Sequence, residues 1–473
     1  MSERLARTLA RPERHPAITI ATVGIACAVL YLAAVFSFPR PGGRIIAGDA
    51  VHHFVYLRSI VFDHDLRFQN EYIRMYGLTH EVPDTDWVYR KSATGHVRNM
   101  MPIGPAIVWT PAYLAVCAAE WLARGAGLPV TLDGFGRLSQ ASAGVSGIAA
   151  ATIGAFLAFA ASRRVFGARV AIWATLTMWL GSSAIYYSLV SPAYSHASSM
   201  LATGRFTCVW VAGAPARGAE RDGRDRIKWY ALLGALGGFA ALVRWQDAVF
   251  LVAPLVDLGA MVGGGHEPIM RRVRRAATAG GVMIAAALVV FAPQMLAWTA
   301  LYGRPLVVPQ GGEFMRWGSP NLWDMLVSYK HGLFSWTPIV ILAVAGVVPL
   351  SRRAPRVAAG AAVVLLVSWY ANAAVADWWA GEAFGARRFV SCFPLFVLGL
   401  SAVLDRWHDN PRALAAIALV VIGLNGLLLF QYQIFMKGWR DIAPYPDTFR
   451  GLWLERFVVP FRVAGRWLGA GAA

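Results

Sequence analysis

The sequence predicts an all-α, polytopic membrane protein. Of its 473 residues, 57% are hydrophobic and only 15% are charged, whereas a soluble domain carries about 25% charged residues. The mean hydropathy is +0.49, and apolar stretches of about 20 residues, long enough to cross a hydrocarbon core, recur along the chain. The net charge of +18 comes largely from basic residues in short loops between these stretches. This pattern follows the positive-inside rule and predicts a membrane protein with no nucleic acid partner.

Eleven apolar segments are candidate membrane spans. The first, residues 17–38, is too long for the apolar region of a signal peptide and is predicted to remain as a signal anchor. The four cysteines lie singly in apolar stretches, without the spacing of a metal site or a disulfide framework. The predicted spans are 17–38, 139–162, 170–190, 193–213, 229–243, 248–263, 276–301, 332–350, 357–376, 389–404 and 413–436.

A twelfth apolar segment, residues 102–119, decides the topology. If it does not cross, 21 Lys and Arg residues of the N-terminal tail and short loops lie on one side and only six on the other. Counting it as a crossing moves 17 of those 21 to the outside. Its three prolines, Pro102, Pro105 and Pro111, each remove a backbone donor and favour a broken element. We therefore predict an interfacial or re-entrant helix, a cytoplasmic N-terminus and an extracytoplasmic C-terminus.

The first external loop, residues 39–138, is predicted to carry helices that lie on the membrane. Between Asp49 and Asp63, the apolar residues Val51, Phe54 and Val55 follow helical spacing, which is typical of an amphipathic surface helix. The C-terminal tail, residues 437–473, mixes Trp, Phe and Arg. It is predicted to be a separate, amphipathic segment that lies on the extracytoplasmic face. Residues 1–436 form the transmembrane domain, which includes the loop.

In this threading, the unusual polar segments all fall on the extracytoplasmic side. They are GDAVHHFVYLRS (48–59), SPAYSHA (191–197), RWQD (244–247), PQGGEF (309–314), YKHGLFSWTP (329–338) and DWWAGEAFGARRF (377–389). A lipid-embedded bundle does not need such segments for folding. Their common side predicts a functional site at the outer leaflet.

Asp49 is the candidate catalytic residue. It follows Gly48 just after the first span, where a carboxylate at the bilayer edge is costly unless it is used or paired. The alternative is that Asp49 is a helix N-cap, a position that favours Asp. The neighbouring His52 and His53 are candidates for substrate binding or for a divalent metal ion, although no second pair of ligands is evident. The sequence leaves the metal undecided.

Candidate phosphate-binding cations lie in the last two polar segments. Arg387 and Arg388 end a Gly-rich loop, where guanidinium groups can grip a phosphate bidentately. The alternative is a pair of interfacial arginines that reach the lipid headgroups. Lys330 and His331 form a second candidate cationic site of this kind. Three further candidates for substrate binding lie in the same set of segments: Arg58, Glu382 and Gln310.

The first external loop resembles that of a known superfamily. Three features carry the resemblance: a Gly-Asp directly after the first span, a surface helix with the face Y-L-R-S ending in D-H-D-L, and a Pro-rich apolar helix returning toward the bundle. Together they are similar to the first loop of the GT-C polytopic glycosyltransferases. Members include protein O-mannosyltransferases and the aminoarabinose transferase of lipid A. The topological likeness covers the whole chain, whereas the motif likeness is confined to the first loop and the RRVFGAR turn.

The resemblance implies an integral membrane enzyme with a GT-C-like bundle. Such an enzyme takes a sugar from a polyprenyl-phosphate or polyprenyl-diphosphate donor on the outer side and passes it to a lipid, glycan or protein hydroxyl. The first-loop acidic residue of the superfamily corresponds to Asp49, which would act as general base. Many relatives have a second acidic residue next to the first, but this chain has Ala50 there. This departure leaves open a metal ion and an acid/base role for Asp84, Asp86 or Glu382.

Two other function classes compete with the enzyme. A transporter or lipid flippase would explain the many spans and the segment 102–119, but it predicts internal repeats and midplane polar sites rather than one-sided clustering. A scaffold or assembly factor would explain the spans alone. The Ala-, Gly- and Arg-rich composition suggests a bacterial protein, so the expected location is a bacterial plasma membrane.

Overall fold

A computed structural model describes residues 12–38, 44–77, 90–213, 223–264 and 267–469. Within these ranges the chain is helical, with two isolated β-bridges, and the predicted all-α class is confirmed. The helices of the first half are α1 (Pro16–Ser37), α2 (Asp49–Arg58), α3 (Gln69–Tyr76), α4 (Gly104–Gly125), α5 (Arg137–Leu180), α6 (Ser195–Ala212), α7 (Gly223–Val243), α8 (Ala253–Gly263) and α9 (Ile269–Tyr302). Those of the second half are α10 (Leu322–Val327), α11 (Leu333–Trp336), α12 (Ile339–Ala345), α13 (Val347–Arg353), α14 (Pro355–Ala373), α15 (Phe393–Leu404), α16 (Pro411–Met436) and α17 (Glu455–Trp467).

Nine helical segments of the described ranges are long and apolar enough to cross a membrane. Two of these segments combine α-helix with 3₁₀ helix. Trp245–Gly263 consists of a 3₁₀ stretch followed by α8, and Arg387–Trp407 consists of α15 with a 3₁₀ turn on each side. The nine are Pro16–Ser37, Gly104–Gly125, Arg137–Leu180, Gly223–Val243, Trp245–Gly263, Ile269–Tyr302, Pro355–Ala373, Arg387–Trp407 and Pro411–Met436. The 44-residue α5 contains a non-helical Gly167, at φ 79° and ψ 169°, which separates the predicted spans 139–162 and 170–190. The predicted span 193–213 forms α6 without being one of the nine. The number of crossings stays a prediction.

The prediction of a broken element at residues 102–119 is wrong. The segment forms the continuous, 22-residue helix α4. Pro105 lies in its first turn, where the missing N–H costs nothing, and α4 continues through Pro111. The hydroxyl of Thr110 donates a hydrogen bond to the carbonyl of Ala106 at 2.9 Å. The carbonyl that lacks its i+4 donor is that of the next residue, Ile107, because Pro111 has no backbone N–H.

The predicted span 332–350 is not one continuous helix in the structure. The structure divides it into α11, α12 and α13, with breaks at Thr337 and Gly346. Pro338 cannot continue the preceding helix because it lacks a backbone N–H. At Gly346, a Cβ atom would lie 1.9 Å from the carbonyl oxygen of Gly399, so the backbones approach directly. Close contact between glycines fixes this break.

The helix predicted between Asp49 and Asp63 is present and is buried within the protein. Every residue of α2 from Ala50 to Leu57 is buried, and a π-helical turn, Ser59–Asp63, extends it. Phe54 packs edge-on against Tyr113 of α4, with ring centroids 5.8 Å apart. The side-chain amide of Asn99 donates to the carbonyl of His52 at 2.8 Å. The apolar spacing was therefore a core pattern, because neighbouring parts of the first loop cover the helix.

The chain divides into two compact units. Unit 1 comprises Met1–Ile20, Ala155–Tyr186 and Phe314–Ala473, and unit 2 comprises Ala21–Gly154 and Tyr187–Glu313. The first loop, with Asp49, belongs to unit 2. The loops that carry Lys330 and Arg387 belong to unit 1.

Within unit 2, small residues bring α7 and α9 into close contact. A Cβ atom on Gly234 would lie 2.0 Å from the carbonyl oxygen of Met283, and one on Gly238 would lie 2.3 Å from that of Ala287. This spacing of four residues puts both glycines on one helix face, as in membrane helix pairs with small residues at the interface. Van der Waals contact between the two backbones holds this pair.

Within unit 1, an aromatic cluster packs near the end of α16. Trp336, Phe384 and Tyr432 are buried together with Leu428 and Leu452. The rings of Phe384 and Tyr432 meet edge-on, with centroids 5.4 Å apart. This cluster anchors the 377–389 loop, which the sequence predicts to bind phosphate.

Candidate functional site

Asp49 is the first residue of α2, and Gly48 occupies the N-cap position. Gly48 has φ 58° and ψ −138°, a conformation that is essentially restricted to glycine. A Cβ atom at this position would lie 2.4 Å from the hydroxyl oxygen of Tyr194. The N-cap alternative for Asp49 is therefore not what the structure shows. A carboxylate in the first turn is favoured by the helix dipole.

His52 is held by two tyrosines. Its Nδ1 lies 2.8 Å from the hydroxyl of Tyr72, and its Nε2 lies 3.1 Å from the hydroxyl of Tyr76. Since Tyr72 donates to the carbonyl of Arg98, Nδ1 donates to Tyr72 and Nε2 accepts from Tyr76. Burial lowers the pKa of His52 to about 4, although the charge of Asp49 opposes this. The imidazole is uncharged at neutral pH.

His53 has one nitrogen bonded and one without a partner among the described residues. Its Nδ1 donates to the carbonyl of Pro102 at 2.8 Å, whereas its Nε2 is buried and unbonded. Burial lowers its pKa to about 4, the Pro102 carbonyl and Asp49 act to raise it, and Arg244 acts to lower it. Asp49 and Arg244 thus both act electrostatically on this one ring. The lone pair on Nε2 of the neutral ring can accept a hydrogen bond.

Arg244 and His196 extend this group within unit 2. Arg244 is only 6% exposed, and its guanidinium donates to Nδ1 of His196. The His196 ring lies 4.4 Å from the Tyr187 ring between centroids and is stacked with Tyr194. Close by in sequence to Arg244, Asp247 accepts a hydrogen bond from the hydroxyl of Ser199. The polar side chains of SPAYSHA and RWQD therefore meet one another.

Sequence reasoning noted these two segments without selecting their residues. The signal was an Arg and a His at the ends of apolar segments, where ionisable side chains are usually paired or functional. The pairing itself depends on residues 48 positions apart in the chain. Only the tertiary structure could select Arg244 and His196 from their segments.

In unit 1, His331 ties two loops together. Its Nδ1 lies 2.6 Å from the carbonyl oxygen of Trp379, to which it donates. Its Nε2 lies 2.6 Å from the hydroxyl of Tyr445. Burial lowers the pKa of His331 to about 4, and the charges of Arg387 and Lys330 lower it further. His331 is therefore neutral at pH 7 and positions the loop rather than supplying charge.

Two cations lie near His331. The ammonium of Lys330 lies 4.4 Å from the centroid of the Trp379 ring, a cation–π geometry. Arg387 begins the 3₁₀ turn Arg387–Cys392 and acts electrostatically on the His331 ring. Arg388 has a different environment, since its guanidinium donates to a carboxylate oxygen of Asp377 at 2.8 Å. Lys330 and Arg387 therefore both lie close enough to His331 to act electrostatically on its ring.

The remaining candidates have structural contacts. Arg58 pairs with Asp63 and Glu71, and its guanidinium lies 4.5 Å from the Phe135 ring centroid. The side-chain amide of Gln310 donates to the carbonyl of Met100 at 3.3 Å. Glu382 is exposed, and its backbone carbonyl accepts a hydrogen bond from Tyr432.

The described part of the chain holds no group of three or more His, Cys, Asp or Glu residues placed to bind a metal ion. Asp84 and Asp86, the alternative acid/base residues, lie outside the described residues.

Comparisons with known proteins found similarity in structure only. No protein-family model matches the chain, and no curated protein matches it. ArnT from Cupriavidus metallidurans bound to undecaprenyl phosphate is similar at a TM-score of 0.47 and 16% identity, over 94% of this chain and 78% of that one. The apo state of the same protein has a TM-score of 0.46 and 15% identity, over 96% and 76%.

An archaeal protein was also found by the structural comparison. The oligosaccharyltransferase AglB from Archaeoglobus fulgidus, in complex with an inhibitory peptide and a dolichol-phosphate, has a TM-score of 0.47 and 10% identity. The alignment covers 97% of this chain and 54% of AglB. The roles of individual residues rest on the contacts given above.

Proposed function

We propose that this chain is a membrane glycosyltransferase. It transfers a sugar from a polyprenyl-phosphate donor to a hydroxyl group of a lipid, glycan or protein on the extracytoplasmic side. The observation that carries the proposal is the placement of Asp49, which starts a buried helix behind a glycine and acts on two uncharged histidines. A carboxylate so fixed can serve as a general base toward a hydroxyl group.

The proposed reaction needs one proton acceptor and one anion-binding group. Asp49 removes the proton from the acceptor hydroxyl while that oxygen forms a bond to the anomeric carbon of the donor sugar. The bond between the anomeric carbon and the phosphate oxygen breaks, and polyprenyl phosphate leaves with the bonding electrons. His52 and His53 are neutral at pH 7, so neither forms an ion pair with the Asp49 carboxylate. The carboxylate therefore keeps its basicity toward the acceptor hydroxyl.

Lys330 and Arg387 are the residues that we propose for the donor phosphate. Their common effect on His331 indicates that both cations lie near one ring. A guanidinium and an ammonium together can stabilise the charge that develops on a leaving phosphate. Arg388 is already paired with Asp377. We therefore propose that Arg388 contributes to phosphate binding indirectly, by stabilising the conformation of the 377–389 loop.

The test is transfer by the purified full-length chain. Synthetic undecaprenyl-phosphate hexoses and pentoses are supplied with a bacterial lipid extract as acceptor, and released undecaprenyl phosphate is measured by mass spectrometry. The Asp49→Asn variant should lose a factor of about 10² to 10⁴ in kcat, the usual share of general base catalysis. Its KM for the donor should change little, because Asp49 acts on the acceptor.

Asp133→Asn is the matched control. Asp133 is also in the first loop, its carboxylate lies 3.9 Å from Arg74, and the Oδ1 that accepts from Phe135 is retained in Asn. This variant should turn over like the wild type. Full turnover by Asp49→Asn would remove Asp49 from the mechanism. A wild type that releases no undecaprenyl phosphate but moves the labelled lipid across proteoliposomes would favour a transporter.

A further inference from the structure

Unit 1 contains a cavity beside the end of the 329–338 segment. An open cavity of about 250 Å³ lies between α12, α16 and the start of α17, and its walls include Trp336, Leu342, Leu424, Trp453 and Arg456. This volume is well above the ~30 Å³ that one water molecule takes up in the liquid. All but two of the lining residues have apolar side chains, the exceptions being Asn425 and Arg456.

Arg456 is a buried charge in this apolar wall. The residue is only 3% exposed, and its guanidinium donates hydrogen bonds to the backbone carbonyls of Leu452 and Leu424. It also lies 4.9 Å from the centroid of the Trp453 ring. Among the described residues, no carboxylate forms a salt bridge with it, since the adjacent Glu455 pairs with Arg450 and Arg462.

This arrangement leaves a positive charge without an anion. Burial lowers the pKa of Arg456 only to about 10, so the guanidinium stays charged at neutral pH. Neutral carbonyls and a ring face offset part of the desolvation cost, but a buried charge is normally stabilised by an opposite one. The cavity beside the guanidinium is where such an anion could bind.

The rim of the cavity indicates where that anion comes from. Leu342 and Leu424 are 45% and 37% exposed, and Leu424 lies inside α16, one of the segments long and apolar enough to cross a membrane. On α17, Phe457 and Phe461 are 48% and 77% exposed. Exposed aliphatic side chains in the cavity wall, and exposed aromatic ones on the helix that carries Arg456, favour entry from a lipid phase over entry from water.

We propose that this cavity binds an anionic phospholipid, with the lipid phosphate paired to Arg456 and part of an acyl chain between Trp336 and Trp453. Guanidinium groups bind phosphate bidentately, and an acyl chain matches the apolar walls. The bound lipid would stabilise the contact between α16 and α17. The proposal does not depend on glycosyl transfer.

The test is lipid-dependent thermal stability of the purified full-length chain in a neutral detergent. The chain is titrated separately with dioleoyl phosphatidylglycerol, dioleoyl phosphatidylcholine and inorganic phosphate. The anionic lipid should raise the unfolding temperature in a saturable way, because a ligand that binds only the folded state stabilises it. Arg456→Gln should weaken the apparent affinity for phosphatidylglycerol at least tenfold. Arg466→Gln is the matched control on the same helix, since Arg466 is 49% exposed and pairs with Asp441, and it should bind like the wild type.

A second variant keeps the guanidinium and fills the space. Leu424→Trp places a larger side chain at the rim and should also weaken phosphatidylglycerol binding about tenfold, even if Arg456→Gln does not fold. Equal stabilisation by phosphatidylcholine, or by inorganic phosphate at the same concentration, would overturn the proposal of an anionic lipid. So would unchanged phosphatidylglycerol affinity in Leu424→Trp.

Discussion

Gly48 and Tyr194 lie against each other in unit 2, such that a Cβ atom on Gly48 would approach the tyrosine hydroxyl to 2.4 Å. Gly48 also has φ 58° and ψ −138°. Two independent constraints, one conformational and one steric, therefore hold glycine directly before Asp49. The direction in which the chain enters α2 depends on both.

Gly48→Ala should lower the free energy of unfolding by about 1–3 kcal/mol, the usual cost of a strained backbone conformation. It should also lower transfer activity, because the start of α2 must shift away from Tyr194. Tyr194→Phe in the same chain removes the hydroxyl and should restore part of the stability, but the conformational cost should remain. Thermal unfolding of the two single variants and the double variant measures the coupling. Strict additivity would contradict the contact.

The glycine contact in unit 1 should be intolerant of a methyl group. On Gly399, a Cβ atom would lie 1.9 Å from the carbonyl oxygen of Ala343, and backbone atoms cannot move aside as a side-chain end can. We expect Gly399→Ala to lose at least about 3 kcal/mol of stability, the upper part of the range for overpacking.

Gly423→Ala is the matched control for Gly399→Ala. Gly423 is a helical glycine of α16 in the same unit, and a Cβ atom there would meet nothing within 4 Å. This variant should be neutral or slightly more stable, since Ala is the better helix former. Similar unfolding temperatures for the two variants would contradict the close contact.

Stability should fall on mild acidification because of buried histidines. The folded-state pKa of His52 is about 4, below the ordinary 6.5, so between these values the unfolded chain binds a proton that the folded chain does not. His52 should therefore cost about 2 kcal/mol of stability as the pH falls from 7 to 5. Burial raises the pKa of Glu71 to about 7, which acts in the opposite direction over the same range.

The effect of His52 is measured as a difference in slope. Unfolding temperatures of the wild type and of His52→Gln are compared from pH 7 to pH 5, and the variant should depend less steeply on pH. His408→Asn is the comparison variant, since it removes an imidazole that is 59% exposed instead of a buried one. A His52→Gln slope equal to that of the wild type would show that this imidazole does not titrate as described.

The cations of unit 1 should affect the donor more than the acceptor. Arg387→Gln and Lys330→Gln should each raise KM for the undecaprenyl-phosphate sugar about tenfold, because a hydrogen bond to a charged group contributes roughly 1.5–3 kcal/mol. Arg440→Gln changes an exposed arginine of the same unit that lies over Phe435 and should leave KM unchanged. A donor KM that none of the three variants alters would leave Arg387 and Lys330 as headgroup anchors.

The predicted sidedness can be tested by labelling single cysteines. The four native cysteines are replaced by Ala, and Cys is introduced for Asp225 or for Glu382, both of which are exposed. In intact cells, an impermeant maleimide should label Glu382→Cys but should label Asp225→Cys only after permeabilisation. The reverse result would place the candidate site on the cytoplasmic side.

The sequence by itself determined the all-α membrane class, because a hydrocarbon environment imposes helices of a recognisable length and apolar composition. It also located GDAVHHF, SPAYSHA and RWQD as unusual polar segments, since ionisable residues at the ends of apolar stretches are conspicuous. It did not reveal that α2 is buried within the protein, because apolar spacing does not tell whether the covering partner is lipid or protein. It was wrong about the break in α4, because prolines in a sequence do not by themselves show that a helix is interrupted.

The tertiary structure alone decided which polar residues contact one another. Arg244 reaches His196 across 48 residues of sequence, and Arg456 lines a cavity with Trp336, which lies 120 positions earlier. The uncharged state of His52, His53 and His331 likewise depends on burial by distant segments. Burial and pairing are properties of three-dimensional packing, so no local pattern of residue types could have revealed them.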